Sequence, residues 1–148
     1  MTADQNGLKE IQRMLAELKF GVLATRAPEY PHCSLVGFGA NEQATEIYVA
    51  TLRDTRKFAN MKADPGVSIL MDSSRNQAQD LKDAKALSAM GRAEEATADA
   101  YTQGRKCFLR KHPYMEEFLD TPNCALVRIV VSRYILVSRF QNVMEYTV

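Results

Sequence analysis

Six runs of strand-like sequence follow one another with tight turn signals between most of them: "GVLATR", "HCSLVGFGA", "EIYVAT", "VSILMD", "KALSAMGRAEEA" and "CALVRIVVSRYILVSRF", the last as one long strand or two consecutive ones. "APEYP", with a proline near each end, parts the first two, and "NEQAT" turns the second back on the third, which makes that pair a hairpin. A doubly wound parallel sheet needs a helix between nearly every two strands, and this chain does not supply them. The pattern therefore predicts a mostly β (α+β) fold, a small antiparallel barrel of about six strands with appended helices. Gly37 and Gly39 inside the second run predict a bulge or a close approach to the backbone. With 148 residues and no repeat, low-complexity tract or linker, residues 1–148 read as one domain with a real core.

The helices are peripheral. In "LKEIQRMLAELKF" the residues Leu8, Ile11, Leu15 and Leu18 recur at helical spacing, with Gly21 as the expected stop. A second helical segment is expected over 97–110, and Pro113 starts a shorter one, "PYMEEFL". "SSRNQAQDLKDA" reads as a polar, mobile loop.

One short helix is built against the usual rule. In "YVATLRDTRKFANMKADP" a strand gives way to a helix beginning near Asp54 or Thr55, with Phe58 and Met61 facing the core and "DPG" ending it. Arg56 and Lys57 then fall in its first turn. Positive charge is unfavourable there, because the turn exposes unpaired N–H groups and the positive end of the helix dipole. An anion would reverse the sign: N–H groups, a hydroxyl and two cations would converge on it, and a phosphate suits a guanidinium best. The simpler reading is a solvated basic turn with Asp54 as a compensating cap. Neither a G-x-x-x-x-G-K-[ST] loop nor a G-x-G-x-x-G turn is present, so no nucleotide-triphosphate cradle or dinucleotide fold is indicated.

Composition excludes several classes. Net charge is +1 and no basic patch stands out, so neither nucleic acid nor an anionic membrane is an expected partner. No apolar run approaches the length of a membrane span, and no basic segment followed by an apolar run marks a secretory signal. A cytoplasmic protein is expected. Cys33, Cys107 and Cys124 are odd in number and dispersed, which predicts reduced thiols and neither disulfide nor zinc. His32 and Cys33 alone offer too few metal ligands, and adjacent strand residues face opposite ways. His112 is expected at the surface or at a helix cap. Glu94, Glu95, Glu116 and Glu117 are neighbours in sequence only, and no general acid or base can be named.

The run "IYVATLRDTRKFANMKADPGVSILM" resembles the FMN-binding split-barrel superfamily typified by pyridoxamine 5'-phosphate oxidase. There, a strand ending in Thr leads through a short loop to Arg-Lys at a helix start, then to an Asp/Asn-Pro turn and an apolar strand. "HCSLVGFG" before it and "GRAE" at Gly91 to Glu94 agree. The resemblance covers residues 11–95 well and the C-terminal third loosely. It implies a six-stranded antiparallel split β-barrel with peripheral helices that binds FMN. It implies that Thr51, Arg56 and Lys57 hold the phosphate, that Cys33, Ser34, Leu35 and Val36 run along the flavin ring, and that the backbone of Ala50 lies near it. It further implies a homodimer with FMN at the interface, with "SSRNQ" and the C-terminal strands contributing from the partner. Cys33 would border the flavin, although a small strand residue is the simpler reading.

The departures from the family are specific. The oxidase carries a Gln on the fifth strand where this chain has Ala86, and an arginine near the start of "PHCSLV" that is missing here. The aromatic and basic C-terminal segment that grips the vitamin substrate has no counterpart in "SRFQNVMEYTV". The cofactor half of the motif is kept and the vitamin half is not. The expected function is thus electron or hydride transfer from a reduced nicotinamide or other donor to a small acceptor. The alternatives are a non-catalytic flavin electron carrier, a deazaflavin protein, or a haem-binding split barrel with His112 as axial ligand.

Overall fold

The β runs pair where their alternation places them. The computed structural model describes residues 2–139 and 141–148. In chain order the elements are α1 (Ala3–Glu17), β1 (Phe20–Thr25), β2 (His32–Ala40), β3 (Glu46–Leu52), α2 (Arg56–Ala63), β4 (Gly66–Asp72), α3 (Asp80–Asp83) and β5 (Ala86–Glu95). There follow α4 (Ala98–Lys111), a 3-10 turn (Pro113–Met115), α5 (Glu116–Leu119), β6 (Cys124–Ser138) and β7 (Asn142–Thr147). The strands run antiparallel in the order β3-β2-β1-β4-β5-β6-β7, and β3 also pairs with β6. That extra pairing closes the first six strands into a barrel and leaves β7 outside it.

β6 explains how one sheet does both. Its first half, Cys124–Val130, lies against β3, while Arg133–Ser138 lies against β7. β5 runs beside both halves, with a bulge between Met90 and Gly91. The bulge needs glycine: a Cβ at Gly91 would stand 2.2 Å from the Val130 carbonyl oxygen.

Alternate residues fill the interior. Leu23, Ile47, Val49, Ile69, Leu87, Ala89 and Ile129 are fully buried in one central cluster. Burial stabilises by about 1.5–3 kcal/mol for each large aliphatic side chain. A second cluster lies between α4 and the outer side of β3 and β6, built from Tyr48, Phe108, Leu119 and Leu126. The predicted close approach in the second run is this packing. A Cβ at Gly39 would stand 2.7 Å from the Cys107 carbonyl oxygen of α4.

The expected elements mostly stand, with four differences. α1 begins earlier, because Thr2 and Gln5 form a reciprocal capping box. It ends at Glu17 rather than at Gly21, which lies inside β1. A lysine replaces the glycine stop: Lys111 Nζ donates to the carbonyls of Leu15 and Leu18 at 2.7 and 2.6 Å and sits 3.6 Å over the Phe38 ring. The polar loop after β4 contains the short helix α3. β7 is an additional strand, and β6 stops at Ser138, short of Phe140, which lies outside the described residues. No described helix is long and apolar enough to cross a membrane.

Candidate functional site

The barrel does not close along its whole length. β2 pairs with β1 over His32–Gly37 but with β3 only over Phe38–Ala40. β3 in turn pairs with β6 alone beyond Val49, through Ala50, Thr51 and Leu52. The two strands diverge, so the stretch from His32 to Gly37 has a free edge. In an antiparallel strand alternate residues turn their N–H and C=O to opposite sides. Half of the polar groups of Cys33–Val36 therefore face an opening instead of a neighbouring strand. Along this stretch Ser34 and buried Val36 take the inward side, while Cys33 and Leu35 are exposed.

α2 starts beside this opening. Thr55 is its N-cap, and its Oγ1 accepts from the Phe58 N–H at 3.4 Å and lies 2.9 Å from Thr51 Oγ1. The expected Asp54 cap is not made, since Asp54 instead accepts from Asn123 Nδ2 at 3.2 Å. Thr51 is buried, which anchors the helix start to the end of β3. Asn60, also buried, donates to Thr25 Oγ1 at 3.0 Å and fixes α2 against β1.

What remains unsatisfied at this helix start is positive. The first turn holds no acidic residue. Arg56 is exposed and Lys57 half-buried, and neither has an ion-pair partner among the described residues. Their backbone N–H groups are likewise without partners there. Arg56 lines a cavity of about 480 Å³ together with His32, Asn60 and the β1–β2 turn at 27–31. In the sequence His32 reads only as a possible metal ligand and 27–31 only as a turn, and neither as part of an anion site. The signal was the inward parity that His32 shares with Ser34 and Val36.

The sequence-predicted residues thus fall into two adjacent groups. Thr51, Arg56 and Lys57 meet at the α2 start, and Cys33, Ser34, Leu35 and Val36 form the free edge. Ala50 borders the cleft only through its backbone, since its side chain packs against the cluster under α4. A third feature adjoins them. Val22 is paired across strands with both Leu35 and Leu70, and these three with Phe20 leave an exposed apolar face on β1, β2 and β4.

The remaining candidates are engaged elsewhere. His112 is buried rather than at the surface, although its backbone does cap α4. Its Nε2 lies 3.0 Å from the Phe38 carbonyl and its Nδ1 2.8 Å from Tyr114 Oη. A carbonyl only accepts, so Nε2 carries the proton and Nδ1 accepts from the tyrosine. Burial lowers the pKa of this imidazole, which keeps it neutral, and both nitrogens are in use. Burial also raises the thiols of Cys107 and Cys124. Among the described residues no three of His, Cys, Asp and Glu gather as metal ligands.

Comparison with known proteins agrees with this architecture. Residues 8–136 match the family described as pyridoxamine 5'-phosphate oxidase. No curated protein matches the sequence. Among solved structures, a heme binding protein from Mycobacterium smegmatis superposes with a TM-score of 0.85 at 20% identity over 95% of this chain. This chain spans only 57% of that protein. General Stress Protein 26 from Bacillus anthracis gives 0.68 at 18% identity, covering 95% of this chain and 99% of the other. A FAD-binding protein from Mesorhizobium loti gives 0.67 at 17% identity, covering 92% and 94%. At these identities the likeness is one of fold.

Proposed function

The chain belongs to the pyridoxamine 5'-phosphate oxidase family, and from that premise we propose that it is an FMN-binding flavoprotein. In this reading it is an oxidoreductase passing electrons or hydride to a small acceptor, and not a pyridoxamine phosphate oxidase itself. The observation that carries the reading is the α2 start: two cations and two N–H groups without partners, next to a free strand edge. The donor set fits a phosphate, since the free groups of the first turn are N–H donors and positive charges and no carboxylate stands in that turn. Arg56 would grip the phosphate through two parallel N–H groups and Lys57 would add a point charge. Thr51 would act through Thr55, keeping the first turn aimed at the cleft. The free N–H and C=O groups of Cys33, Ser34, Leu35 and Val36 would bond the polar edge of the ring, with the Ala50 backbone close by. The flavin supplies the redox chemistry when bound, and the chain supplies binding and orientation.

The same reading makes the protein a homodimer with the cofactor at the interface. The apolar face formed by Phe20, Val22, Leu35 and Leu70 supports it, because such a face beside a ligand cleft marks an interaction surface. A carrier without turnover is the nearest alternative, and steady oxidation of a reduced nicotinamide with an acceptor present separates the two. Haem is the second reading, favoured by the fold likeness to the Mycobacterium smegmatis protein. Against it, His112 has no nitrogen free for an axial bond.

A visible spectrum of the purified protein and the mass of the released chromophore test the assignment. Two flavin bands, or saturable FMN uptake by the apoprotein, are expected. A Soret absorber, or no flavin uptake, overturns it. Lys57→Glu is expected to weaken FMN binding by about 1.5–3 kcal/mol, the worth of one charge-assisted hydrogen bond, in a protein that still folds.

A further inference from the structure

The cleft holds one polar atom that the fold leaves unanswered. Neither ring nitrogen of His32 has a hydrogen-bond partner among the described residues, and Nδ1 is closed off from solvent as well. A nitrogen buried in this way costs about 1–3 kcal/mol, and native folds keep few of them. The backbone beside it is well served, because the His32 carbonyl accepts from Thr25 Oγ1 at 3.4 Å. The omission is confined to the imidazole. That ring opens β2 on the inward side and lines the same cavity as Arg56 and Asn60.

Resting on the FMN reading above, we propose that His32 is the proton-dependent member of the anion site. Its imidazolium joins Arg56 and Lys57 against the bound phosphate, and ligand affinity falls as the ring loses its proton. Guanidinium and ammonium groups do not exchange protons near neutrality, so Arg56 and Lys57 give the protein side of the site no pH dependence there. Imidazole is the side chain that exchanges its proton in that interval.

The surrounding charges leave the decision to the ligand. Glu29 from the β1–β2 turn and Arg56 from α2 line the cavity with opposite charges. Asn60 from α2 is neutral, as is Thr25 from β1. Next to the turn, Arg26 pairs with Asp64 at 3.2 Å, and those two offset each other. A phosphate entering between Arg56 and His32 adds negative charge next to the ring and raises its proton affinity. Binding then takes up as much as one proton. Affinity must fall with rising pH, at a slope approaching tenfold per pH unit for one coupled proton.

The ligand has its own titration with the opposite sign. A phosphate monoester gains its second charge near pH 6, which strengthens binding as pH rises. Above about pH 7 that effect is complete, and a decline from there to about pH 8.5 isolates the imidazole.

The test is the dissociation constant by quenching of flavin fluorescence from pH 6 to 8.5. It is measured for the wild type, His32→Gln and His32→Arg, with FMN and with riboflavin, which lacks the phosphate. The wild type should lose FMN affinity at least fivefold between pH 7 and 8.5. His32→Gln should be weaker and flat over that interval, and His32→Arg tight and flat. Riboflavin binding should be flat in all three. Wild-type protein that takes up no FMN at any pH overturns the functional reading and this inference with it. FMN binding whose pH profile is the same in the wild type and either variant overturns this inference alone.

Discussion

Replacing Arg56 by Glu should move fold stability and ligand affinity in opposite directions. The arginine is exposed and has no ion-pair partner among the described residues, so its loss breaks no ion pair there. It stands at the first position of α2, where a cation is unfavourable and an anion favourable by about 0.3–1 kcal/mol each. The swap removes one and adds the other, a gain of about 0.6–2 kcal/mol. For a chain of this size 1 kcal/mol is worth about 2–4 °C, so the apoprotein should melt between about 1 and 8 °C higher. The ligand sees the reverse. A charge-assisted hydrogen bond of about 1.5–3 kcal/mol is lost, and at about 1.4 kcal/mol per decade FMN affinity should drop at least tenfold. Repulsion between the new carboxylate and the phosphate adds to this, discounted for solvent screening. Melting curves of both proteins with and without FMN make the comparison. The variant should be the more stable without ligand, and FMN at one hundred times the wild-type Kd, which stabilises the wild type by about 2.7 kcal/mol, should stabilise the variant by at least about 1 kcal/mol less. Curves that shift in parallel, or a variant less stable in both conditions, would refute the claim that this helix start is built for an anion.

Other substitutions probe the frame around the site. Leu35→Asp puts a charge on the exposed apolar face and should turn the proposed dimer into a folded monomer by sedimentation, and an unchanged dimer mass would contradict the proposed interface. Gly91→Val drives a side chain into the Val130 carbonyl and should lose about 1–3 kcal/mol or more in urea unfolding, since the β5 bulge has no room. Glu10 accepts from Arg13 and from Lys85 on the approach to β5, and the Arg13 hydrogen bond above all holds its pKa down to about 2. Its folded value lies below the unfolded one, so its contribution is present above about pH 4.5 and lost as pH falls toward 2. Glu10→Gln should flatten the acid limb of stability over that interval, and an unaltered limb would remove Glu10 from the account.

The elements were legible where one signal dominated. "HCSLVGFGA" coincides with β2, and the α2 start is where the misplaced cations put it. β7 was not legible because its alternation is weak and it packs on one side only. Its turn also lacks the usual residues, and Arg139 there takes φ 47° without being glycine. The stop of α1 was misread because the capping group, Lys111, arrives from 93 residues along the chain. Sequence spacing cannot show a cap supplied by tertiary contact. The same holds for the cleft. That β2 parts from β3 at Gly37 is a matter of pairing register, and nothing in the alternation of "HCSLV" differs between a paired and an unpaired edge. His32 was passed over for this reason. A lone histidine at a strand start reads as structural until the neighbouring strand is seen to be missing.

If the chain binds FMN at a dimer interface as proposed, the gap in the barrel links ligand and assembly. A free strand edge is a template for unwanted pairing, and the one at Cys33–Val36 adjoins the exposed side chains of Leu35, Val22 and Leu70. A second copy can cover the apolar face but leaves the edge groups short of partners, and a planar ligand with polar atoms on its rim can satisfy the edge but leaves the face wet. Each completes what the other leaves open. Cys33 and Leu35 turn outward and Ser34 and Val36 inward from the same four residues, so ordering this stretch for one occupant orders it for the other. Coupling of this kind is reciprocal: whatever factor the ligand adds to dimer affinity, the dimer adds to ligand affinity. Ligand affinity should accordingly rise with protein concentration through the dimer transition, and Leu35, whose side chain faces away from the cleft, should then influence what binds inside it.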